Sequence, residues 1–432
     1  MASPMELYIL ALNCGRPGLR VIQTISRQKT TELRMKVLIV HNHYKERGGE
    51  DAVVLSESNL LRAHGVEVEL CEQTNDSIVT LRSKLAAAIS VVYSSQGFSR
   101  VQEAIERFEP DVIHVHNWFP TLSPGIFWAC KKQMVPVVHT LHNFRLLCAN
   151  GNLFRNGGVC EDCLGTTLRL PGVIHACYRN SHSGTAMATA GMLTHWQYGT
   201  WHKAVDAFIA LTKFAKRKLV AGGIPEDKIV VKPNFLEYDP GFRPGDFGYF
   251  CFVGRLTEGK GIAKLLECWR ENPDLPQLRI IGDGPLAEQV RTASQSLRNL
   301  EWQGQKGARE VLKNIGNAKA LLCPSLWYEG MPRVVIESLA VGTPVIGPNL
   351  GSYAEMIVHD RFGMLFNPSD PQGFLACVRD IQARSSMAAM RLEARKEFEL
   401  RYTGSANFKM LLDIYESVSL AADRKPQVLQ VG

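Results

Sequence analysis

The 432-residue sequence predicts an α/β protein made of two Rossmann-like, doubly wound halves facing each other across a cleft. Three observations predict it. Short β-branched runs alternate with helical stretches from Lys36 onward. The alternation stops at Asn234 to Gly248, a segment holding Pro240, Pro244 and three glycines, which reads as an interdomain linker. It then starts afresh. A parallel strand covered on both faces is a continuous apolar run, and Lys36-Val37-Leu38-Ile39-Val40 is such a run.

In the first half the expected strands are Lys36 to Val40, Glu67 to Leu70, Asp111 to Val115, Val135 to Thr140 and Ala207 to Leu211. A helix with apolar spacing is expected over about Asp51 to Ala63, ending at Gly65. The rhythm lapses from Asn143 to Gly199, a stretch with four cysteines and clustered aromatic residues. In the second half the strands are Tyr249 to Val253, Leu278 to Ile281, Asn299 to Trp302, Ala320 to Cys323 and Pro344 to Gly347. A last helix, about Ala406 to Leu420, is expected to cross back and brace the first domain. The resulting division is an N-terminal domain at 35–240 with a Cys-containing insert at 143–199, a C-terminal domain at 241–405, and a return helix with tail at 406–432.

Residues 1–34 read differently. The apolar run Leu7 to Leu12 precedes Arg16, Arg20, Arg27 and Arg34, the reverse of a secretory signal, and Met35 directly precedes the first strand. The segment is expected to be an upstream start artefact or a loose tail, with a transit peptide as the weaker alternative.

Composition narrows the function. With 49 basic against 42 acidic residues the net charge is +7, too diffuse for the dense basic stripe that nucleic acid requires but compatible with attraction to an anionic membrane. No run approaches the ~18 to 20 apolar residues of a spanning helix. Eleven cysteines, an odd number, fit a reducing cytoplasm better than a disulfide scaffold.

The densest chemistry begins at Ser325. In Glu329-Gly330-Met331-Pro332, followed by Glu337 and Gly342-Thr343-Pro344-Val345-Ile346, Pro332 suits the first helical position and Gly342 the stop, giving a helix of about ten residues. Glu329 then lies before the helix and Glu337 on it. Free N–H groups at the helix start attract an anion, and a carboxylate below it can accept hydrogen bonds from a sugar diol. A capping Glu and a salt-bridged Glu would leave the same pattern. The loop Val253-Gly254-Arg255-Leu256-Thr257-Glu258-Gly259-Lys260-Gly261 adds a guanidinium and an ammonium able to neutralise a diphosphate, and Ile281-Gly282-Asp283-Gly284-Pro285 ends a strand in a tight turn.

Together with His41-Asn42-His43-Tyr44, Gly48-Gly49-Glu50 and Asp111-Val112-Ile113-His114-Val115-His116-Asn117 in the first half, these motifs resemble retaining glycosyltransferase family 4 and its GT-B fold, over about Met35 to Tyr415. The resemblance implies that the C-terminal domain binds a nucleoside-diphosphate sugar and the N-terminal domain the acceptor. Arg255 and Lys260 would bind the diphosphate, Glu337 the ribose hydroxyls, and Glu329 the sugar near its anomeric carbon. Gly48 and Gly49 would let backbone approach the phosphate, and His142 matches the active-site histidine. Met331 stands where the family usually has Phe or Leu, with Pro332 next, which leaves the N–H groups beside Gly330 in place. His116 would contact acceptor or hydrogen-bond within the cleft wall, the second being favoured. The family transfers with retention, by front-face attack in which the leaving phosphate helps deprotonate the acceptor, and without a divalent metal. No Asp-x-Asp motif occurs here. The implied activity is hexosyl transfer to a glycan or lipid-linked sugar in surface polysaccharide synthesis (exopolysaccharide, capsule or lipopolysaccharide), in the cytoplasm or at the inner face of the cell membrane. A sugar-nucleotide epimerase of the same fold and a non-catalytic sugar-nucleotide sensor are the alternatives. A sensor would need no group at the anomeric carbon.

Two further readings concern the irregular stretch. Cys148, Cys160, Cys163 and Cys177, spaced C-x11-C-x2-C-x13-C, fit a structural zinc site, free thiols or disulfides. Trp196, Tyr198 and Trp201 beside His195, His202 and Lys203, with the basic amphipathic Lys213 to Val220, fit either a bilayer headgroup region or a solvated helix face.

Overall fold

A computed structural model describes residues 35–423 apart from 45–47, 77–79, 81–85, 88, 244 and 246–247, so the segment 1–34 and the tail after 423 lie outside the described residues. Two six-stranded sheets form the frame. The first contains β1 (Lys36–Asn42), β2 (Glu67–Gln73), β3 (Val112–Asn117), β4 (Val137–Leu141), β7 (Ala207–Ala210) and β8 (Ile229–Val231), in the order β2-β1-β3-β4-β7-β8. A two-stranded ribbon, β5 (Phe154–Arg155) with β6 (Gly158–Val159), lies in the insert. The second sheet contains β9 (Phe250–Val253), β10 (Leu278–Ile281), β11 (Leu300–Trp302), β12 (Ala320–Leu322), β13 (Val345–Pro348) and β14 (Gly363–Phe366), in the order β11-β10-β9-β12-β13-β14. Every pair of neighbours in both sheets is parallel.

Strand order reverses between β1 and β3 in the first sheet and between β9 and β12 in the second. A crevice opens beyond the strand ends at such a point, which is where ligands of open α/β sheets bind. The edge strands β8 and β14 have no counterpart among the expected strands, because three or four apolar residues beside loop signals do not stand out by periodicity. The insert is also more regular than expected, containing the sixteen-residue helix His182–Gln197.

Two expectations are corrected. Pro332 is not the first helical residue but the extended N-cap (φ −70°, ψ 110°) of an eight-residue helix, Arg333–Ala340, and Gly342 follows it at φ 77°. The helix is shorter because the left-handed glycine closes its C-terminal turn one residue after the cap. Trp201 and His195 do not face solvent. Trp201 packs in the core of the first half, and His195 bonds Thr200 and the Val92 carbonyl. An indole and imidazole so buried cannot reach a lipid headgroup.

The long helix Gly404–Asp423 covers one face of the first sheet. Its Leu411, Ile414, Tyr415 and Val418 pack with Val37 and Ile39 of β1, Val112 of β3 and Val138 of β4. The Tyr415 hydroxyl lies 2.8 Å from Nδ1 of buried His114. Near the start of this helix, Asn407 bonds Lys232 and the Pro233 carbonyl, and the Leu236 N–H donates to the Tyr402 carbonyl, so the two chain crossings between the halves run side by side. Tyr415→Ala should cost about 3–5 kcal/mol, as deletion of a buried aromatic ring does. Tyr415→Phe, which loses a single hydrogen bond, should cost about 0.5–1.5 kcal/mol. Urea denaturation of both variants checks the difference.

Candidate active site

The site grows from the carboxyl ends of the strands at the two reversal points. In the first half the end of β1 and the residue after it deliver His41 and His43 to Asp51, two residues into the helix Gly49–Ala63. Asp51 Oδ1 lies 2.9 Å from His41 Nε2 and 2.8 Å from His43 Nδ1, and Oδ2 accepts from the Gly48 N–H at 2.7 Å. Burial pushes the Asp51 carboxyl up, but these partners outweigh it and hold the group well below the usual carboxylate range. The helix start is thereby oriented toward the cleft. A Cβ on Gly48 would meet nothing within 4 Å, so packing within this chain does not require glycine there. A Cβ on Gly49 would sit 3.7 Å from Cδ of Arg333, the first residue of the second-half helix Arg333–Ala340. Two helix starts and a guanidinium therefore meet, an arrangement that favours an anion.

Behind this wall lies a buried relay that the sequence reading missed. Glu57, on the same helix, is fully buried and 2.5 Å from Lys232 Nζ. Its other oxygen is 3.3 Å from His116 Nε2, and His116 Nδ1 is 3.0 Å from His142 Nε2. Burial raises the Glu57 pKa, yet Lys232 and then His116 outweigh it and keep the carboxylate well below its ordinary value. His142, at the end of β4, is held well below the ordinary imidazole value by burial and by His116, so it is neutral. His116 thus touches His142 and Glu57, the cleft-wall arrangement favoured above. His142 also lines a small cavity with Asn143 and Arg145.

A second carboxylate missed in the sequence is Glu50. Burial, reinforced by Asp51 and opposed by Arg145, pushes it up to about 8. The same Arg145 and Asn143 interact with Tyr44. Glu50 directly follows Gly48-Gly49, so its place at the helix start is a local sequence signal.

In the second half the loop after β9 carries Arg255, exposed, and Lys260, in a short 3-10 turn closed by Gly261 at φ 75°. A Cβ at Gly261 would fall 1.9 Å from the Pro324 carbonyl oxygen, so only glycine allows this loop to touch the one after β12. That contact brings Lys260 Nζ to 2.8 Å from Glu329 Oε1. The same oxygen accepts from Ser325 Oγ at 3.0 Å and from the Trp327 indole at 2.7 Å. The turn Gly282-Asp283-Gly284-Pro285 packs beneath, with a Cβ at Gly282 falling 1.9 Å from the Gly254 oxygen. Glu337 is raised by burial, with Arg333 opposing. Met331 is buried, its sulfur 3.2 Å from the Asn234 N–H, which fixes the loop on the interdomain segment.

The halves meet at this loop. A Cβ on Gly330 would lie 2.3 Å from the His142 carbonyl oxygen, so the glycine permits the closest approach of His142 to Glu329. Glu355 accepts from the N–H groups of Lys213 and Phe214 at 2.9 and 2.8 Å, capping the basic helix Lys213–Ala221 across the boundary, and Phe214 packs on Tyr328.

Among the described residues, His41–His43–Asp51 and Glu57–His114–His116 have ligand types close enough for a cation, but their carboxylates are already bonded to histidine and backbone N–H or to Lys232. Cys148, Cys160, Cys163 and Cys177 converge on one cavity in the insert, away from these groups.

Because Glu50 holds its proton more tightly folded than unfolded, the folded chain binds more protons between about pH 4.5 and about 8. Its contribution to stability should be full below that window and fade as pH rises through it. Melting temperatures of the parent and of Glu50→Gln, measured between about pH 5 and about 8, should diverge, with the steeper decline in the parent.

Comparison with known proteins places these features. The Glycosyltransferase Family 4 model matches residues 47–239, and the Glycosyl transferases group 1 model matches residues 239–397. The amylovoran biosynthesis glycosyltransferase AmsK of Erwinia amylovora is 27% identical over 237 residues, covering 50% of this chain and 57% of its own, so the chain spans little more than half of that relative. The phosphatidyl-myo-inositol mannosyltransferase of Mycobacterium leprae is 23% identical over 404 residues, 87% of this chain and 95% of its own. Among solved structures, Anabaena HepE in complex with UDP aligns at a TM-score of 0.62 and 15% identity, over 89% of this chain and 100% of that one, which shows the shared fold.

Proposed function

The chain belongs to glycosyltransferase family 4, and on that premise we propose that it moves a hexose, with retention and without a divalent metal, from a nucleoside-diphosphate sugar to a glycan or lipid-linked sugar in surface polysaccharide synthesis. The observation that carries this reading is the Lys260–Glu329 pair, 2.8 Å apart at the reversal point of the second sheet and opposite His142 and the Gly48-Gly49 helix start. An ammonium bonded to a carboxylate in the cleft can turn from it to pair with a diphosphate as it leaves, keeping its charge. Glu329, released from that bond, can then accept from sugar hydroxyls beside the anomeric carbon. Arg255 adds a second cation, and Arg333 and the two helix starts face the phosphates from the other side. Half-buried Glu337 suits a ribose diol, which would replace lost water with two hydrogen bonds.

Charge that develops on the leaving oxygen meets donors already in place, the largest kind of electrostatic contribution to catalysis. Neutral His142, held through His116 by Glu57, can accept a hydrogen bond from the acceptor or donate one to the sugar without charging. The names of the relatives, in amylovoran synthesis and phosphatidyl-myo-inositol mannosylation, support a polysaccharide or lipid acceptor. The UDP in the HepE structure supports a uridine nucleotide donor.

Lys260→Ala should lower turnover by roughly 100- to 1,000-fold while leaving the fold intact, the range for losing one preorganised donor. Unchanged turnover would refute the assigned role. Incubation with labelled UDP- and GDP-sugars should yield glycosylated product only when membrane lipid extract is supplied; isomerised sugar nucleotide without acceptor would favour the epimerase, and binding without turnover the sensor. Contact with the membrane would engage the exposed Leu168, Leu170 and Ile174 of the insert and the basic face of Lys213–Ala221. Flotation on anionic vesicles at low salt should carry the protein upward, and protein left at the bottom rejects the contact.

A further inference from the structure

We propose that Cys148, Cys160, Cys163 and Cys177 form a tetrathiolate zinc site that holds the insert against the loop carrying Glu329. The four side chains come from separate places: the turn after β4, the segment after β6, and the segment after the short helix Leu170–Ile174. They nevertheless line a single cavity of about 10 Å³, room for one water or ion. The remaining described cysteines, Cys71, Cys130, Cys251, Cys268, Cys323 and Cys377, are not among its lining residues.

The surroundings suit a thiolate-bound dication. Cys160-x2-Cys163 follows the β5–β6 ribbon, and the Cys160 N–H is tied to the Leu153 carbonyl at 2.8 Å. A Cβ on Gly172 would lie 3.5 Å from Cys163 Sγ, and the Gly172 N–H is a hydrogen-bond partner of that sulfur. N–H groups directed at sulfur are the outer-shell support that thiolate ligands use. Four thiolates on Zn²⁺ leave two net negative charges; Arg155 lines the cavity beside Cys160 and Cys177, together with Asp162, to which it is paired at 2.7 Å. No three of the sulfurs lie within 4.8 Å of one another. Tetrahedral binding at about 2.3 Å would draw them together, contracting the cluster.

The backbone supplies an independent reason. Leu153, Asn156, Arg169, Ala176, Arg179 and Asn180 all have φ between 49° and 55°. Side chains other than glycine seldom adopt this conformation, and it persists only where the surroundings over-determine it. The elements between the cysteines are a ribbon with two residues per strand and a five-residue helix, and the long helix of the insert starts only after them, at His182. A metal linking three points of the segment supplies that constraint.

The same ribbon touches the proposed donor loop. Phe154 meets Trp327 edge-on at 5.5 Å between ring centroids, and Trp327 donates to Glu329. Glu161 pairs with Lys218 at 2.5 Å. Zinc would therefore set the position of Trp327 and, through it, of Glu329. This consequence rests on the glycosyltransferase reading; the metal site does not.

The test measures metal in the full chain. After purification without chelator and exhaustive dialysis, mass spectrometry of the metals should find close to one zinc per chain. Cys160→Ser/Cys163→Ser should lose it, and Cys71→Ser should keep it. Co²⁺ added in place of zinc should give the intense visible bands of tetrahedral thiolate coordination. A parent protein with less than about a tenth of an equivalent of zinc after growth in zinc-supplemented medium overturns the proposal. An intact mass lower by two or four hydrogens under non-reducing conditions, the mark of disulfides, overturns it equally. If the double serine variant fails to fold, the parent metal content and the cobalt spectrum still decide. An inactive protein that holds one zinc would count against the proposed function alone.

Discussion

A carboxylate placed out of water constrains everything packed around it, and Glu57 is that group. Moving an ionised side chain into a protein interior costs several kcal/mol, and the cost is offset only by partners with good geometry. Lys232 supplies the opposite charge at 2.5 Å, from the segment where the chain leaves the first half. Asn407, on the return helix, holds the same ammonium. His116 takes the other side of the carboxylate and passes contact on to His142. The helix Gly49–Ala63, the first sheet, both interdomain crossings and the His142 imidazole therefore share one electrostatic centre.

The cleft sorts its charges by the same logic. Asp51, though partly buried, stays ionised because two imidazoles and a backbone N–H bond to it, whereas the adjacent Glu50 is raised by burial and by Asp51, with Arg145 opposing. Neighbouring carboxyls on one helix start thus differ in protonation near neutral pH. That limits the negative charge beside the place where the two helix N-termini meet. On the opposite wall Glu329 is bonded by Lys260, Ser325 and Trp327 through a single oxygen.

Contacts between the halves concentrate at the loops that carry this chemistry. Gly330 against the His142 carbonyl and Phe154 against Trp327 anchor the Glu329 loop from the first half, and Glu355 caps the helix at Lys213 across the same boundary. Motion of one half relative to the other would therefore move Glu329 and His142 with respect to each other, coupling domain closure to the assembly of the site.

The two-sheet α/β fold was legible in the sequence because apolar runs of parallel strands and a Pro- and Gly-rich break are local signals. The Lys260 and Glu329 loops were legible as well, since glycine, cation and carboxylate sit close together in the chain. The face shared by the histidines could also have been read. Val37, Ile39 and His41, then Val112, His114 and His116, then Val138, Thr140 and His142 follow the alternation of side chains along a strand. What no local signal could supply was the partner of Glu57. Its position on the apolar stripe of its helix, between Val53 and Leu60 or Leu61, marks an anomaly, but Lys232 lies 175 residues away in the sequence. The edge strands β8 and β14 and the convergence of the four cysteines are of the same kind. Periodicity along the chain fixes which way a side chain faces; only the packing of distant segments decides what it meets there.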